Sequence, residues 1–180
     1  MRRYIVFIPL VLFFALGVLL WRGLQLDPTE LPSALIDKPM PSFQLSSLQD
    51  PQRMLTEADL KFDEPVLLNV WATWCPSCKA EHAQLNRMAT QEGVKIIGVN
   101  YKDERNKANV WLEKYLNPYV INIYDDKGSL GLDLGVYGAP ETYILDAKGV
   151  IRYKHVGVVD ERVWQQLKGV MASLQSEAAS

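Results

Sequence analysis

The feature that most constrains the fold is a pair of cysteines, Cys75 and Cys78, set between an apolar run and a helical pattern. Residues 65–72 carry no charge and have strand length, which is typical of a strand buried on both faces. Pro76 then begins a helical pattern. Proline is tolerated there because the first N–H groups of a helix have no hydrogen-bond partner within the helix. A buried strand that leads through these cysteines into a helix predicts an α/β domain.

The chain contains no other cysteines, and the close spacing of these two suits a redox pair better than a structural disulfide. A bridge between them closes almost no loop, so it would contribute little as a structural staple. The free N–H groups at a helix N-terminus favour a thiolate at Cys75. We therefore predict a redox pair in which Cys75 attacks a partner disulfide and the deeper Cys78 resolves the mixed disulfide.

Three other roles for the cysteines are open at this stage. They could be a buried core pair, although the flanking Trp74 and Pro76 argue against it. They could bind zinc together with His82 and His155, but His82 follows Cys78 by only four residues. They could also belong to a module that binds without turnover, which two intact cysteines disfavour. No metal and no cofactor is predicted.

The N-terminus predicts a membrane anchor. No charged residue occurs between Ile5 and Trp21, and a helix of that length reaches about 26 Å. Arg2 and Arg3 before it place the N-terminus in the cytoplasm. The alternative is a cleaved signal peptide, but the run is long and ends without a small-residue cleavage site. We predict an anchor over residues 1–22, a proline-rich linker over 23–41 and one domain over 42–180.

The net charge and the N-terminal segment indicate which class of partner and which compartment to expect. The formal net charge is −2, which gives no reason to expect a nucleic-acid partner. Whether the N-terminal segment is a retained anchor or a cleaved signal peptide, the residues after Arg22 lie outside the cytoplasm, where disulfide chemistry is possible.

Alternating patterns along the domain predict a mixed sheet flanked by helices. For the helix over 105–116, we predict inward-facing Val110, Trp111, Tyr115 and Leu116. Asp160 is expected to cap the last helix. Strands are predicted at 42–48, 65–72, 94–101, 119–124, 142–146 and 150–156, and helices at 54–60, 76–90, 105–116, 129–134 and after residue 160.

Four separate segments resemble a known family, the CcmG/DsbE proteins of cytochrome c maturation, within the thioredoxin superfamily. They are residues 68–76 (LNVWATWCP), 78–82 (CKAEH), 100–103 (NYKD) and 131–142 (GLDLGVYGAPET). The resemblance implies a thioredoxin-like α/β fold with a mixed central sheet, a central insert over about 94–116 used for partner recognition, and an N-terminal transmembrane helix.

The resemblance also implies a role. Proteins of this family are tethered to the bacterial inner membrane, face the periplasm and act there as reductants. They receive electrons from a membrane reductase of the DsbD or CcdA type. They pass them to apocytochrome c, or to a carrier of the CcmH type, and so keep the CxxCH thiols reduced. A general periplasmic oxidase or isomerase, and a tethered binding module without turnover, are the competing hypotheses.

The same resemblance implies a substrate-binding surface. Pro140 resembles the cis-proline that faces the cysteines in this superfamily, although an ordinary turn proline would give the same sequence. An extended segment there would offer backbone groups to a substrate chain. The residues expected to contact substrate are Trp74, Pro76, Tyr137, Ala139, Pro140 and Glu141.

Glu81 is the expected proton acceptor for Cys78. Thioredoxins usually carry an aspartate for this task on the preceding strand, where this chain has Asn69. Glu81 lies three residues after Cys78, on the same face of the predicted helix, and is an acidic residue of the family pattern. The alternative is a solvated helix glutamate.

Overall fold

A computed structural model describes residues 7–23 and 34–178, in two compact units that divide between residues 31 and 32. The first unit contains helix α1, Ile8–Gly23. Within the described ranges, no helix is both long enough and apolar enough to cross a membrane. Residues 1–6 of the predicted anchor and 24–33 of the predicted linker lie outside the described residues.

The second unit is an α/β domain built on a mixed sheet, as the sequence predicts. The strands are β1 (Lys38–Pro39), β2 (Leu45–Ser46), β3 (Met54–Leu55), β4 (Val66–Trp71), β5 (Ile96–Tyr101), β6 (Ile121–Asp125), β7 (Glu141–Leu145) and β8 (Val150–Val156). Six of them form one sheet in the order β1-β8-β7-β4-β5-β6, with β4 parallel to β5 and antiparallel to β7. Strands β2 and β3 pair separately. The helices are α2 (Pro76–Gln91), α3 (Arg105–Tyr115), α4 (Ser129–Asp133) and α5 (Glu161–Ala178), with a 3₁₀ turn at Glu57–Leu60.

Strand β4 lies at the centre of the domain because both of its faces are covered. All six of its residues are buried. Leu67 and Trp71 join a core cluster with residues of α2 and α5, whereas Leu68 and Val70 join a second cluster on the other face. Because the core fixes β4 on both sides, the cysteine loop that follows it has a fixed starting point.

The N-terminal border of the domain differs from the prediction. Strand β1 pairs antiparallel with β8, with Lys38 opposite Ile151, and Met40 is buried. These residues fall within the predicted linker over 23–41, so the sheet begins before residue 42. A strand of two residues carries too little periodicity to be found by pattern. The predicted helix over 54–60 is also replaced, by β3 and the 3₁₀ turn.

Helix α3 exposes apolar side chains that were predicted to face inward. Ala108 and Leu112 are buried, whereas Val110 is 62 % and Leu116 is 65 % exposed. Ala108 and Leu112 are about one turn apart and share the face that packs on the domain. Val110, two positions from each, points to the opposite side at about 200° of rotation. The prediction is therefore wrong for Val110 and Leu116, whereas Trp111 is partly buried and packs against the core as predicted.

The last helix begins as predicted. Asp160 Oδ1 accepts a hydrogen bond from the Val163 N–H at 2.8 Å, which caps α5. Val163, Leu167 and Leu174 are buried along one face of the helix.

Candidate active site

Cys75 and Cys78 form a disulfide at the first turn of α2, with their Cα atoms 5.3 Å apart. Cys75 is the N-cap residue, and its Sγ accepts a hydrogen bond from the Cys78 N–H at 3.0 Å. After reduction, the same donor and the helix dipole would stabilise a thiolate at Cys75. Both residues are almost fully buried, at 3 % and 2 % exposure, so Cys78 is scarcely deeper than Cys75.

The segment before β7 faces this disulfide. The Ala139–Pro140 peptide bond is cis, and the Ala139 carbonyl oxygen lies 3.3 Å from Cys75 Sγ. The Gly157 N–H donates to the Pro140 carbonyl at 2.9 Å, which joins the segment to the end of β8. The structure therefore brings Ala139 and Pro140 beside the reactive sulfur, where an extended partner chain could pair with the backbone.

Exposed aromatic side chains lie in the segments on either side of this site. Trp74 is 53 % and Tyr137 is 75 % exposed, and Pro76 is also exposed. The Trp74 indole N–H donates to the Lys102 carbonyl at 3.0 Å, which orients the ring. Trp74 and Tyr137 are therefore surface residues and not core residues. Their contact with substrate stays a prediction.

Asp103 fixes the cysteine loop from the neighbouring strand. Its carboxylate accepts hydrogen bonds from the Thr73 N–H at 2.6 Å and the Thr73 hydroxyl at 2.7 Å, and from Asn100 Nδ2 at 3.0 Å. Sequence reasoning placed Asp103 in a motif but missed this role. A usable signal was present: β4 and β5 are adjacent parallel strands, so the residues that follow them meet at one edge of the sheet.

Glu81 is buried beneath the loop, at 1 % exposure. One carboxylate oxygen accepts from Asn69 Nδ2 at 2.9 Å and the other from the Val159 N–H at 2.8 Å. Burial raises the pKa of Glu81 from 4.5 to about 7, because the loss of hydration outweighs the two hydrogen bonds that favour the charged form. The alternative of a solvated helix glutamate is wrong. The role of Glu81 as a proton acceptor stays a prediction. Among the described residues, which include Cys78, no hydrogen bond joins the Glu81 carboxylate to the Cys78 sulfur.

Asn69 links Glu81 to the rest of the sheet. Its Nδ2 also donates to Thr142 Oγ1 at 3.1 Å, and its Oδ1 accepts from the Tyr119 hydroxyl at 2.9 Å. Burial, together with the nearby Glu81 charge, raises the pKa of Tyr119 well above 10, so this hydroxyl remains a donor. Sequence reasoning missed Tyr119 and Thr142, because neither residue is near the cysteines along the chain.

The raised pKa of Glu81 predicts a pH-dependent stability. In the unfolded chain the carboxyl ionises near 4.5, whereas in the folded protein it ionises near 7. The contribution of protonated Glu81 is thus complete below about 4.5 and is lost as the pH rises through about 7. Relative to Glu81→Gln, the wild-type free energy of unfolding should fall by about 3 kcal/mol across this range. Urea titrations of both proteins as a function of pH would measure it, and a pH-independent difference would contradict it.

Glu141 lies behind the substrate segment and not on its surface. It is 0 % exposed, and Lys154 Nζ lies 3.0 Å from its Oε2. Its oxygens also accept from the Tyr137 N–H at 2.8 Å and the Tyr143 hydroxyl at 2.7 Å. Direct contact between this carboxylate and a substrate, as predicted, does not fit its burial. Through Tyr137 it instead shapes the segment that carries Ala139 and Pro140.

The zinc alternative is not supported by the geometry. His82 Nε2 lies 2.8 Å from the Leu116 carbonyl and 3.1 Å from the Tyr115 carbonyl, so the ring caps the end of α3. Burial lowers the pKa of His82, which keeps the ring neutral. Over residues 7–23 and 34–178, no group of three or more potential ligands is arranged to hold a metal ion.

Comparison with known proteins places this site in a family. The Redoxin family profile matches residues 36–171. The thiol:disulfide interchange protein DsbE of Pseudomonas aeruginosa is 59 % identical over 166 residues, which cover 92 % of this chain and 91 % of that protein. The DsbE protein of Escherichia coli K12 is 48 % identical over 185 residues, covering 99 % of this chain and 100 % of that protein.

Solved structures share the fold. A putative DsbE from Chlorobium tepidum superimposes with a TM-score of 0.65 at 22 % identity, covering 81 % of this chain and 99 % of that one. A secreted thiol-disulfide isomerase from Corynebacterium glutamicum gives 0.66 at 21 % identity, covering 83 % and 96 %. The domain therefore has the thioredoxin-like fold that the resemblance implies. Because the matching relatives extend over almost the whole chain and the cysteine pair is intact, the chain belongs to the Redoxin family, in its DsbE group, and is a thiol–disulfide oxidoreductase.

Proposed function

We propose that the protein is a periplasmic reductant of cytochrome c maturation, tethered to the inner membrane. The observation that carries this proposal is the Cys75–Cys78 disulfide beside the Ala139 carbonyl, above a buried Glu81 whose pKa is near neutrality. Support also comes from the relatives named DsbE at 59 % and 48 % identity, and from the four motifs that resemble the cytochrome c maturation family.

The proposed reaction consumes two thiols of the protein. The Cys75 thiolate attacks one sulfur of a partner disulfide, forms a mixed disulfide and releases the other partner sulfur as a thiol. Cys78 then gives its proton to Glu81 and attacks Cys75. This step releases the second partner thiol and leaves the Cys75–Cys78 disulfide seen in the structure. Two electrons pass to the partner, and a membrane reductase of the DsbD or CcdA type restores the dithiol.

The acceptor in this proposal is apocytochrome c or a carrier of the CcmH type. The backbone beside Pro140 and the exposed Trp74 and Tyr137 suit an extended polypeptide better than a small thiol. The tether is supported by the uncharged sequence from Ile5 to Trp21, within which residues 8–20 are exposed in α1. Retention of the full chain in membranes after alkaline carbonate extraction would test the tether.

A trapping experiment tests the proposed function. In Cys78→Ser the mixed disulfide cannot be resolved, so partners should accumulate on Cys75 in cells. We expect an apocytochrome c or its thiol carrier to be attached, and the membrane reductase to be trapped as the donor. Cys75→Ser is the matched control and should hold neither. Capture of unrelated periplasmic proteins with no cytochrome c component would contradict the proposal.

The direction of electron flow separates this function from an oxidase. Acid quenching and alkylation should find the wild-type protein mostly reduced in cells with an intact membrane reductase. Its potential against glutathione should be more reducing than the about −120 mV of a strong disulfide oxidant. If the protein is mostly oxidised under these conditions, the competing hypothesis of a general periplasmic oxidase or isomerase would be favoured.

A further inference from the structure

A buried ion pair lies behind the segment that leads to Pro140. Lys154 on β8 and Glu141 on β7 have side chains that are 3 % and 0 % exposed, with Nζ 3.0 Å from Oε2. Burying two charges costs both of them their hydration, so such a pair often stabilises a fold no more than apolar side chains of the same size would. Stability alone therefore does not account for a lysine at this position.

Polar groups from β7 and β8 hold residues 134–140, which we call the 134–140 segment, at three successive points. A carbon added as a side chain at Gly135 or Gly138 would meet no atom of the described residues within 4 Å, so packing does not hold the backbone on that side. The three hydrogen bonds are those from the Tyr143 hydroxyl to the Leu134 carbonyl at 3.2 Å, from Lys154 Nζ to the Gly135 carbonyl at 2.8 Å and from the Tyr137 N–H to the Glu141 carboxylate at 2.8 Å.

Lys154 also contacts the side chain of Tyr137. Its Nζ lies over the Tyr137 ring, 4.8 Å from the ring centre, at the distance of a cation–π interaction. The ring itself is 75 % exposed. A side chain with so few neighbours would otherwise move between rotamers, and the ammonium beneath one face restricts it. The same lysine therefore orients both the backbone at Gly135 and the ring two residues later.

The 134–140 segment carries this orientation to the reactive sulfur. Tyr137 lies two residues before Ala139, whose carbonyl oxygen is 3.3 Å from Cys75 Sγ. Lys154 is opposite Tyr143 in the pairing of β7 with β8, so its backbone is fixed by the sheet. A fixed strand thus supports the exposed segment beside which a partner chain could pair.

We propose that Lys154 is a positioning residue, whose buried ammonium holds the Tyr137 ring and the 134–140 segment in the orientation that receives an extended polypeptide beside Cys75. The inference rests on the proposed function and deepens it, because it implies a site that distinguishes polypeptide disulfides from small ones. Lys154 exchanges no electrons and does not touch the sulfurs. It acts through Tyr137 and the backbone.

Two disulfides of different size test the proposal with the reduced full chain in detergent. One is a short synthetic peptide closed by a disulfide, and the other is hydroxyethyl disulfide, which has no peptide backbone to pair. Acid quenching and alkylation of the remaining protein thiols give the rate constant for each. The double variant Lys154→Met with Glu141→Gln removes both charges together and leaves no unpaired carboxylate. Its rate constant should fall about tenfold with the peptide and less than about twofold with the small disulfide.

Two further variants are matched controls. Arg152→Met removes another cation from β8, two residues earlier, where the side chain pairs with Asp37, Asp146 and Glu177. It should leave the ratio of the two rate constants unchanged. Lys154→Arg should keep the wild-type ratio, because a guanidinium can pair with the Glu141 carboxylate and stack on the Tyr137 ring.

Fluorine NMR reports the orientation of the ring directly. In protein labelled with fluorotyrosine, the Tyr137 resonance is identified by its loss in Tyr137→Phe. In the wild-type protein it should differ from the resonance of the unfolded chain, and in the double variant it should move towards it. A lysine that contributed only to stability would leave this resonance in place.

The outcomes separate this inference from the function on which it rests. Equal losses with both disulfides, or a wild-type peptide rate in the double variant, would overturn the positioning role and leave the reductase intact. If the double variant does not fold, Lys154→Gln with Glu141→Gln takes its place, since the new amide at position 154 can still donate to the Gly135 carbonyl, and the same two results decide. Failure of the wild-type protein to reduce either disulfide would overturn the proposed function as well.

Discussion

Replacing Glu81 with glutamine is expected to slow resolution of the Cys75 mixed disulfide by about 10²–10⁴-fold near neutral pH, the usual size of general-base assistance. With a pKa of about 7, a large fraction of the buried carboxyl is ionised there and can take the Cys78 proton. The first attack by Cys75 should change little. Stopped-flow measurement of a single turnover with a preformed mixed disulfide separates the two steps.

The pH profile gives a second readout of the same variant. Wild-type resolution should slow as the pH falls below about 7, because Glu81 becomes protonated and can no longer accept. Glu81→Gln should lack this inflection. Resolution at the wild-type rate, with the inflection retained, would make Glu81 a structural residue only.

A double variant tests whether a carboxyl group at position 69 can replace the one removed from position 81. In Asn69→Asp with Glu81→Gln, the acid and the amide exchange places across the 2.9 Å hydrogen bond that joins them. The Tyr119 hydroxyl and the Thr142 hydroxyl can both donate to the new carboxylate, and the new amide oxygen at position 81 can still accept from the Val159 N–H. If the titratable group is what matters, this swap should recover much of the lost rate, whereas Glu81→Gln alone should not.

Lys154→Met is expected to lower the free energy of unfolding by about 3–5 kcal/mol. The Lys154 and Glu141 side chains are 3 % and 0 % exposed, and Nζ also donates to the Gly135 carbonyl at 2.8 Å. Removing the ammonium leaves a buried carboxylate whose lost hydration is offset less well, by the Tyr137 N–H and the Tyr143 hydroxyl. Urea titration of the oxidised protein at neutral pH would measure the loss.

Two controls identify the cause of this loss. Lys95→Met breaks an exposed ion pair with Glu64 of similar length, 2.9 Å, and should cost under about 1 kcal/mol. Adding Glu141→Gln to Lys154→Met removes the uncompensated charge and should restore part of the stability. A loss in Lys154→Met no larger than that in Lys95→Met would show that the buried pair contributes little.

The redox site could be predicted largely from the sequence because its main determinants are local. A buried strand, a proline at the first helical position and the short cysteine spacing are neighbours along the chain, and they fix the loop together. The position of Glu81 on the same helix is equally local. The burial that raises its pKa could not be predicted, because it depends on Val159 and Asn69 approaching from other parts of the fold.

Distant contacts explain the remaining differences. Lys154 and Glu141 lie on adjacent strands, and nothing in either segment alone predicts that their charges meet in the interior. For α3, the spacing of apolar residues allowed two stripes. Only the packed structure shows that Ala108 and Leu112 are buried beside the partly buried Trp111, and that Val110 is exposed.

The pairing of β1 with β8 covers one edge of the sheet, and this affects whether the domain aggregates. An open sheet edge is a template for intermolecular pairing, and short strands that contain proline are a common protection against it. Lys38–Pro39 cover β8 at one margin, while Ser47 bridges to Ile123 at the other. A fragment cut at residue 42 would keep every redox residue yet uncover β8, so proteolytic release there should yield a domain prone to edge-to-edge aggregation.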